Sequence, residues 1–385
     1  MGYRERLATL EANHLLRNLL PVDATVERPY IKLHNDTLLS FNSNDYLGFS
    51  THPAMIEAAS KATQIWGTGS TGSRFTSGNF LLHTTLEKQI AIFKQTEAAL
   101  LFNSGYDANL AVPTTLVQQD DIILSDTLNH ASIIDGIRLS KRNYLVYRHR
   151  DVEHLRELLA SLPATQRKFI FTDSVFSMDG TLAPLEAIVA LKKQFHNVII
   201  VVDDAHATGI LGEDGRGTAN HFALERDIDI TIGTLSKACG ASGGFIATNQ
   251  VFADYIRNFA RSLIYTTALP PSVVASASTA LTLMQEEPWH QKLVMDLTKQ
   301  LADGLHSRKI HFVGGEVPIF GVSCGTSEKA LALQAHLHKA GIFASAIRPP
   351  TVPEGEARVR ITLSAKHTSE HISLLLQALG GFYDE

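Results

Sequence analysis

The sequence predicts an α/β protein with a large domain built on a mostly parallel, seven-stranded sheet and a smaller α+β domain towards the C-terminal end. Short apolar runs alternate with helical patterns through the middle of the chain, which is typical of parallel strands buried on both faces. Later, strand-like pieces and helices alternate over a shorter stretch. The 385 residues, 44% of them hydrophobic, are enough for two domains with a large core.

The N-terminal segment is predicted to form a helix followed by two short strands. Residues 4–20 have an amphipathic pattern that Pro21 should end. The apolar positions of this helix are Leu7, Leu10, Leu15 and Leu16. The β-rich stretches 30–33 and 37–41 follow. We take 1–50 as an N-terminal helix and β arm.

The middle of the chain supplies the strands of the large domain, for which we expect the bounds 51–285. The predicted strands are Ala98–Phe102, Ile122–Ser125, Tyr144–Tyr147, Phe169–Thr172, Val198–Val202, Ile228–Gly233 and Phe245–Thr248. A long helical stretch around 272–308 leads into the small domain, 286–385. Its predicted strands are His311–Val313, Pro318–Val322 and Arg358–Leu363, with helices near 326–340 and 368–380.

Composition argues against several classes of function. A formal net charge of -5 gives no electrostatic case for binding nucleic acid or an anionic membrane. The two cysteines, Cys239 and Cys324, are far apart and belong to no CxxC pair, which disfavours a disulfide framework or a zinc–cysteine site. The first residues lack the apolar core of a signal peptide, and apolar runs such as Val198–Val202 are too short to span a bilayer. We therefore expect a cytoplasmic protein without a membrane partner.

Two strand ends carry an acid and a lysine that could act together. Ligands of open α/β sheets bind outside the carboxyl ends of the strands. DDAH at 203–206 follows one strand, and Lys237 lies in a small-residue turn after the next. A structural reading remains open, in which one acid caps a helix, His206 makes a structural hydrogen bond and Lys237 is an ordinary loop lysine. A metal bound by Asp204 and His206 has no supporting second ligand cluster.

The spacing of 34 residues from Asp203 to Lys237 allows both to meet at neighbouring strand ends. An acid paired with a partly desolvated lysine is what pyridoxal phosphate (PLP) requires: the acid keeps the pyridine nitrogen protonated, and the lysine binds the aldehyde.

Three further loops are polar enough to contribute to such a site. The turn 103–109 contains Gly105 and Tyr106 and opens a helix, whose free N–H groups could bind phosphate. His130 lies in a loop where it could stack on a planar ring, and 173–180 is an equally polar strand end. The GxGxxG match at 67–72 follows a segment of helical character rather than a strand, so we reject a nicotinamide or flavin site.

Nine ordered stretches of the chain together resemble the α-oxoamine synthases, a family of fold-type I PLP enzymes. They are FNSNDYLGFS (41–50), GTGSTGSRFTSG (67–78), FNSGYDAN (102–109), NHASIIDGIRLS (129–140), VFSMDG (175–180), VDDAHATGILG (202–212), GTLSKACGASGGF (233–245), IYTTALPP (264–271) and IRPPTVPEGEARVRITLSA (347–365).

The resemblance implies roles around the cofactor. Lys237 would bind PLP covalently and move protons at the substrate Cα, Asp203 would pair with the pyridine nitrogen, and His130 would stack on the ring. His206 would bond the ring hydroxyl. The residues implied to hold the cofactor and its phosphate are Gly105, Tyr106, Ser177, Thr234 and, from the neighbouring subunit of a homodimer, Thr266.

It also implies a substrate site and a reaction. Arg360 would bind the amino-acid carboxylate with help from Asn44, while Arg17 and Thr351 would line the acyl-donor side. His130 would also contact the substrate and, with Lys237 and Asp203, form the catalytic group. The implied reaction condenses L-alanine with pimeloyl-CoA or a pimeloyl-acyl carrier protein, with loss of CO2. Glycine with acetyl-CoA or succinyl-CoA, and an inactive PLP-binding regulatory subunit, are the alternatives. One departure from the family pattern is Asp173-Ser174, where the family usually has Glu before a small residue.

Overall fold

The computed structural model describes residues 2–13, 15–17, 19–23 and 27–384. The described residues form two compact units, which we call the outer unit and the sheet unit. The outer unit comprises Met1–Tyr46, Ser177–Thr181 and Lys292–Glu385, and the sheet unit comprises Leu47–Phe176 and Leu182–Gln291. The three-part division at residues 50 and 285 stays a prediction.

The strands, in chain order, are β1 (Val22–Asp23), β2 (Tyr30–Leu33), β3 (Asp36–Ser40), β4 (Ala98–Phe102), β5 (Ile122–Asp126), β6 (Asn143–Tyr147), β7 (Lys168–Asp173), β8 (Val198–Asp203), β9 (Ile230–Thr234), β10 (Gly244–Thr248), β11 (Phe312–Gly314), β12 (Ile319–Gly325), β13 (Ile342–Phe343), β14 (Ser345–Ile347) and β15 (Ala357–Thr362).

The α-helices, in chain order, are α1 (Tyr3–Ala12), α2 (Pro53–Trp66), α3 (Leu81–Lys94), α4 (Gly105–Leu116), α5 (Ala131–Ser140), α6 (Val152–Ser161), α7 (Leu185–Gln194), α8 (Thr218–His221), α9 (Gln250–Phe259), α10 (Arg261–Ile264), α11 (Pro271–Glu286), α12 (Trp289–Ser307), α13 (Ser327–Lys339) and α14 (Ser369–Asp384). Short 3-10 helices cover Phe49–Thr51 and Glu213–Gly215.

The sheet unit contains the seven-stranded sheet that the sequence predicts. Its strand order is β4-β10-β9-β8-β7-β5-β6. β5 to β9 pair in parallel, and β10 runs antiparallel to both β9 and β4. All seven predicted strands are confirmed, with ends shifted by at most two residues. The carboxyl ends of β4, β5, β7, β8 and β9 therefore share one edge of the sheet.

Two apolar layers bury this sheet. The layer on one face contains the inner side of α4 and α5, for example Val112 and Ile133 with Phe171 of β7. The layer on the other face includes Leu155 of α6 and Ile188 of α7. Burial on both faces explains why the strands have continuous apolar sequences rather than alternating ones.

The outer unit carries two four-stranded sheets, ordered β1-β2-β3-β13 and β11-β12-β15-β14. The first joins the two ends of the chain, because β3 pairs in parallel with β13. Thr362, at the end of β15, also donates from Oγ1 to Phe41 O (3.1 Å). The predicted stretches 30–33 and 37–41 and the C-terminal α+β pattern are confirmed as strands and helices here.

Two helical predictions need correction. α1 ends at Ala12, where the backbone N–H and side-chain amide of Asn13 both donate to Thr9 O, so the helix predicted over 4–20 is wrong beyond that point. Leu7 and Leu10 are exposed, so the described part of the chain does not cover the apolar side of this short helix. Residues 14 and 18 of the predicted span lie outside the described residues.

The stretch 272–308 is two helices, α11 and α12, which break around Pro288 because proline lacks the N–H that a continuous helix needs. Among the described residues, the helices are all too short or too polar to cross a bilayer.

Candidate active site

The acid at the end of β8 and the lysine after β9 lie at the carboxyl edge of the seven-stranded sheet, as the sequence predicts. Asp203 is the last residue of β8 and is 6% exposed. Lys237 lies in the turn between β9 and β10 and is half-buried. The pKa values of His130 and Asp173 both respond to the charges of Asp203 and Lys237, so these four side chains lie close together.

A directional chain of hydrogen bonds connects Asp203 to His130. Asn109, buried in α4, donates from Nδ2 to Asp203 Oδ2 (2.6 Å) and to Ser132 Oγ (2.9 Å). Ser132 Oγ lies 2.6 Å from His130 Nδ1. Since Asn109 uses its two amide hydrogens on these acceptors, the Ser132 hydroxyl is left to donate to His130 Nδ1.

This chain fixes the tautomer of His130. Nδ1 also accepts from the Ser132 backbone N–H (3.3 Å), so the proton of the neutral ring lies on Nε2. Partial burial of the ring lowers the pKa of His130, and the positive charge of Lys237 adds to this, against the opposing effect of Asp203. His130 is therefore a neutral ring at the entrance of α5.

Asp173, where the family usually has Glu, is hydrogen-bonded to the loop that carries His130. Asp173 Oδ2 accepts from the backbone N–H of His130 (2.6 Å). Burial and the nearby charge of Asp203 raise the pKa of Asp173 well above its ordinary value. The shorter side chain thus anchors the backbone of the His130 loop, and it favours the neutral carboxylic acid.

The start of α4 forms a candidate phosphate site with the end of β9. Ser104 caps α4 by accepting from Asp107 N, and Gly105 lies against the side chain of Thr234. Thr234 Oγ1 lies 2.7 Å from Ser236 Oγ. A side chain at Gly244 would collide with the backbone of Ser104, so the close approach of β10 to this turn requires glycine. Hydroxyls and free N–H groups at a helix N-terminus are suited to an anion.

Three other cofactor candidates, His206, Thr266 and Tyr106, lie in the sheet unit, whereas Ser177 belongs to the outer unit. His206 is buried, as expected for a residue that bonds within the site. Thr266 Oγ1 accepts from Asn103 (2.7 Å), directly before the Ser104-Gly105 turn. Tyr106 is more exposed than these, and its hydroxyl donates to Asp135 Oδ2.

Asp204 has a different role, and the structural reading is right for this residue. Lys94 Nζ donates to Asp204 Oδ2 (2.8 Å) inside the protein, with side chains only 3% and 2% exposed. Ser174 Oγ donates to Asp204 Oδ1 (2.9 Å), and Thr218 contacts the same oxygen. Sequence reasoning missed Lys94, because a lysine at the end of a helix normally lies in solvent.

Apart from His130, the substrate candidates belong to the outer unit. Arg360, on β15, is 7% exposed and donates from Nε to Ser177 O (2.6 Å) and from Nη2 to Asn44 Oδ1 (3.1 Å). Burial raises the pKa of the adjacent Tyr46 to about 12. Among the described residues, Arg360 makes no ion pair with a carboxylate. A buried guanidinium held by neutral groups is suited to binding an anionic ligand.

Two further substrate candidates contact each other. Arg17 donates from Nη2 to Thr351 Oγ1 (3.0 Å), joining the N-terminal arm to the loop before β15.

A sheet edge with a buried acid, a lysine and a helix N-terminus suited to an anion is typical of an α/β enzyme site. The comparisons with known proteins identify the family. The chain belongs to the class I and II aminotransferase family, whose model (Aminotransferase class I and II) matches residues 36–379.

One relative, named 8-amino-7-oxononanoate synthase 2, from Bacillus subtilis (strain 168), is 46% identical over 97% of this chain and 95% of its own length. The resemblance found in the sequence is thereby confirmed.

Solved structures with the same fold come from a second enzyme. A serine palmitoyltransferase from Sphingomonas wittichii matches with a TM-score of 0.93 and 31% identity, over 99% of this chain and 96% of its own. A further structure, described as SPT with PLP, matches with a TM-score of 0.93 and 29% identity over the same shares.

Proposed function

We propose that this protein is a PLP-dependent acyltransferase that condenses L-alanine with a pimeloyl thioester to give 8-amino-7-oxononanoate, CO2 and the free thiol. The observation that carries the proposal is the hydrogen-bonded series Asp203–Asn109–Ser132–His130 beside Lys237. The name of the 46% identical relative supports this choice of substrates.

The residues present fit PLP. A phosphorylated pyridine needs a carboxylate for its ring nitrogen, an anion site for its phosphate and an amine for its aldehyde. Asp203, the Gly105 turn with Thr234, and Lys237 supply these three in one unit. The neutral ring of His130 is suited to cover the pyridine face, and we assign His206 to the ring hydroxyl. Ser177 and Tyr106 complete the cofactor group by resemblance.

Bound PLP would supply an electron sink for the negative charge that develops at the substrate Cα. The residues of the chain do the remaining work. The Lys237 amine takes the Cα proton of the amino acid and later returns a proton to the product. The carboxylate of Asp203, held by two neutral donors, would supply the negative charge that the ring nitrogen needs. The neutral His130 adds no competing positive charge.

Arg360 is the proposed clamp for the amino-acid carboxylate. Its Nε and one Nη are already fixed by Ser177 O and Asn44 Oδ1, so the guanidinium loses little freedom on binding. A planar guanidinium can bind a carboxylate through two parallel hydrogen bonds, which a lysine ammonium cannot. We assign Arg17 and Thr351 to the acyl-donor side on the resemblance.

The proposal includes a cytoplasmic homodimer, in which Thr266 and the loop 67–78 serve the partner's site.

Absorbance spectroscopy tests the function. The purified protein with PLP should show a visible band from the lysine-bound cofactor, and titration with L-alanine should change it at lower concentration than glycine or L-serine. Addition of pimeloyl thioester should then release the thiol and yield the amino ketone, identified by mass spectrometry. The assignment would be overturned by a protein that does not turn over L-alanine with the pimeloyl thioester. Turnover of glycine with acetyl-CoA, or of L-serine with a long-chain thioester, would then identify the reaction instead.

Substitution of Lys237 tests the central residue. Lys237→Ala should lose the visible band and the turnover, because no amine remains to bind the aldehyde. Lys61→Ala, at an exposed residue of α2, is the matched control and should keep both. A Lys237→Ala protein that keeps the band would remove this lysine from the mechanism.

A further inference from the structure

The segment 136–150 is strongly basic in a chain whose net charge is -5. It contains five Lys or Arg residues and no Asp or Glu. These five are Arg138, Lys141, Arg142, Arg148 and Arg150. The site described above uses none of them. We call this segment the basic edge.

The basic edge forms the border of the seven-stranded sheet. It covers the end of α5, the whole of β6 and the turn that follows, and β6 is the last strand in the sheet order. A last strand offers its outer backbone groups and side chains to a partner. Leu139, Tyr144 and Val146 are 60%, 47% and 47% exposed.

A cavity of about 190 Å³ opens beside these apolar residues, lined by Ile134, Ile137, Arg138, Tyr144 and Val146 among others. It is of a size to take an apolar side chain from a partner. A surface that combines apolar residues with surrounding charges resembles a protein interface more than a site for a free nucleotide.

Most of the positive charge at the basic edge is not neutralised. Arg148 pairs with Asp151 (2.8 Å), and Arg142 donates to Val117 O. Within the part of the chain that the structure describes, Arg138, Lys141 and Arg150 are exposed and make no ion pair. Three cations without a carboxylate partner favour a partner with an acidic surface.

The carboxyl end of β6 and the turn with Arg150 are the part of the basic edge nearest to the candidate active site, and Arg138 and Lys141 lie towards the other end of the strand. β6 is three strands from β8 in the sheet order, which puts its carboxyl end about 14 Å from that of β8, where Asp203 lies. α5 begins next to His130 and ends in the basic edge. A thioester on a flexible arm could therefore reach the site from a partner bound at this edge.

We propose that the basic edge docks an acidic acyl carrier protein that delivers the pimeloyl thioester. This inference rests on the proposed function and adds the surface and the charge of the partner. Arg138, Lys141 and Arg150 attract the carrier, and Leu139, Tyr144 and Val146 contact it. The partner surface therefore combines acidic groups with an apolar side chain.

The test compares two acyl donors, pimeloyl-acyl carrier protein and pimeloyl-CoA, with the PLP-loaded enzyme. The triple variant Arg138→Glu, Lys141→Glu, Arg150→Glu should lower kcat/KM for the carrier-protein donor by about tenfold or more, because long-range attraction turns into repulsion. The kcat/KM for pimeloyl-CoA should stay within about twofold, which also shows that the variant is folded.

The matched control is the triple variant Lys309→Glu, Lys329→Glu, Lys339→Glu, which makes the same charge change at exposed residues of the outer unit. It should leave both donors unaffected. Added salt should reduce kcat/KM for the carrier-protein donor in the wild type and not in the basic-edge variant, because salt screens exposed charges.

Equal losses with both donors, an unchanged carrier-protein rate, or wild-type turnover of pimeloyl-CoA alone would each overturn the docking proposal and leave the proposed function intact. A wild type that uses neither donor would overturn the proposed function and the docking partner with it.

Discussion

Asp203 and Asp204 are neighbours in the sequence, yet their surroundings differ completely. Asp203 accepts from two neutral donors, the Asn109 amide and the Ala205 backbone N–H. Asp204 faces the ammonium of Lys94 and the hydroxyls of Ser174 and Thr218. The first carboxylate is held by neutral groups, while the second is paired with a cation inside the protein.

The different surroundings of the two acids show how one of them can fix the position of the other at the end of a strand. Side chains of consecutive residues at a strand end point in opposite directions. Asp204 therefore binds Lys94 of α3 and Thr218 of α8 to the end of β8. These contacts fix the backbone that carries Asp203. The first acid is the candidate site residue, and the second is a positioning residue.

Breaking the Asp204 pair should give the largest effect on stability. Lys94→Met leaves the buried carboxylate without its cation, which costs about 3–5 kcal/mol in the free energy of unfolding. Urea unfolding followed by circular dichroism measures this loss. Lys88→Met, at an exposed residue of the same helix, is the control and should change stability by less than about 0.5 kcal/mol. Equal stabilities of the two variants would contradict the anchoring role.

Neutralising the other acid should affect catalysis and not the fold. Asp203→Asn keeps an oxygen for the Asn109 amide but removes the charge, so we expect kcat to fall by about 10²–10³-fold, the effect typical of a lost electrostatic contact in an active site. The visible PLP band should also shift. Stability should fall by only about 1 kcal/mol, because the amide offers no second oxygen to the Ala205 N–H. If Asp203→Asn were strongly destabilised but kept the kcat of the wild type, Asp203 would be a structural residue rather than a catalytic one.

Asp173 sharpens the comparison through its pH dependence. Its pKa is raised in the folded protein, so the folded state binds more protons than the unfolded state, and stability falls as pH rises from the unfolded value of about 3.9 towards the folded value. Asp173→Asn lacks this loss, so its stability relative to the wild type should increase with pH, by at most about 1.4 kcal/mol per pH unit.

Unfolding of the holoenzyme at a series of pH values, with Asp120→Asn at an exposed residue as the control, measures the slope. A pH-independent difference for Asp173→Asn would show that the carboxyl is already ionised in the fold.

The sequence is enough to predict the sheet and the residues at its carboxyl edge. The strands are continuous apolar runs, and Asp203, His130 and Lys237 stand out because they are polar residues at or soon after the ends of these runs. Short-range patterns of this kind can be read without knowledge of the fold.

The partners of these residues could not be predicted, because they come from distant parts of the chain. Asn109 is 94 residues from Asp203, and Lys94 is 110 residues from Asp204. Each lies on a helix whose sequence shows only an ordinary polar residue, and the contact depends on how that helix packs on the sheet. The length of α1 was mispredicted for a related reason, since an apolar stripe does not show what will cover it.

The bond from Thr362 to Phe41 spans 321 residues, and it affects how the protein is made. At a synthesis rate of about 5–20 residues per second, the N-terminal arm leaves the ribosome roughly 15–60 seconds before its partner strands exist. During this time β3 has an open edge, because its partner β13 does not yet exist, while the sheet unit can already fold. A chaperone that binds nascent chains would therefore be expected to act on the first 46 residues.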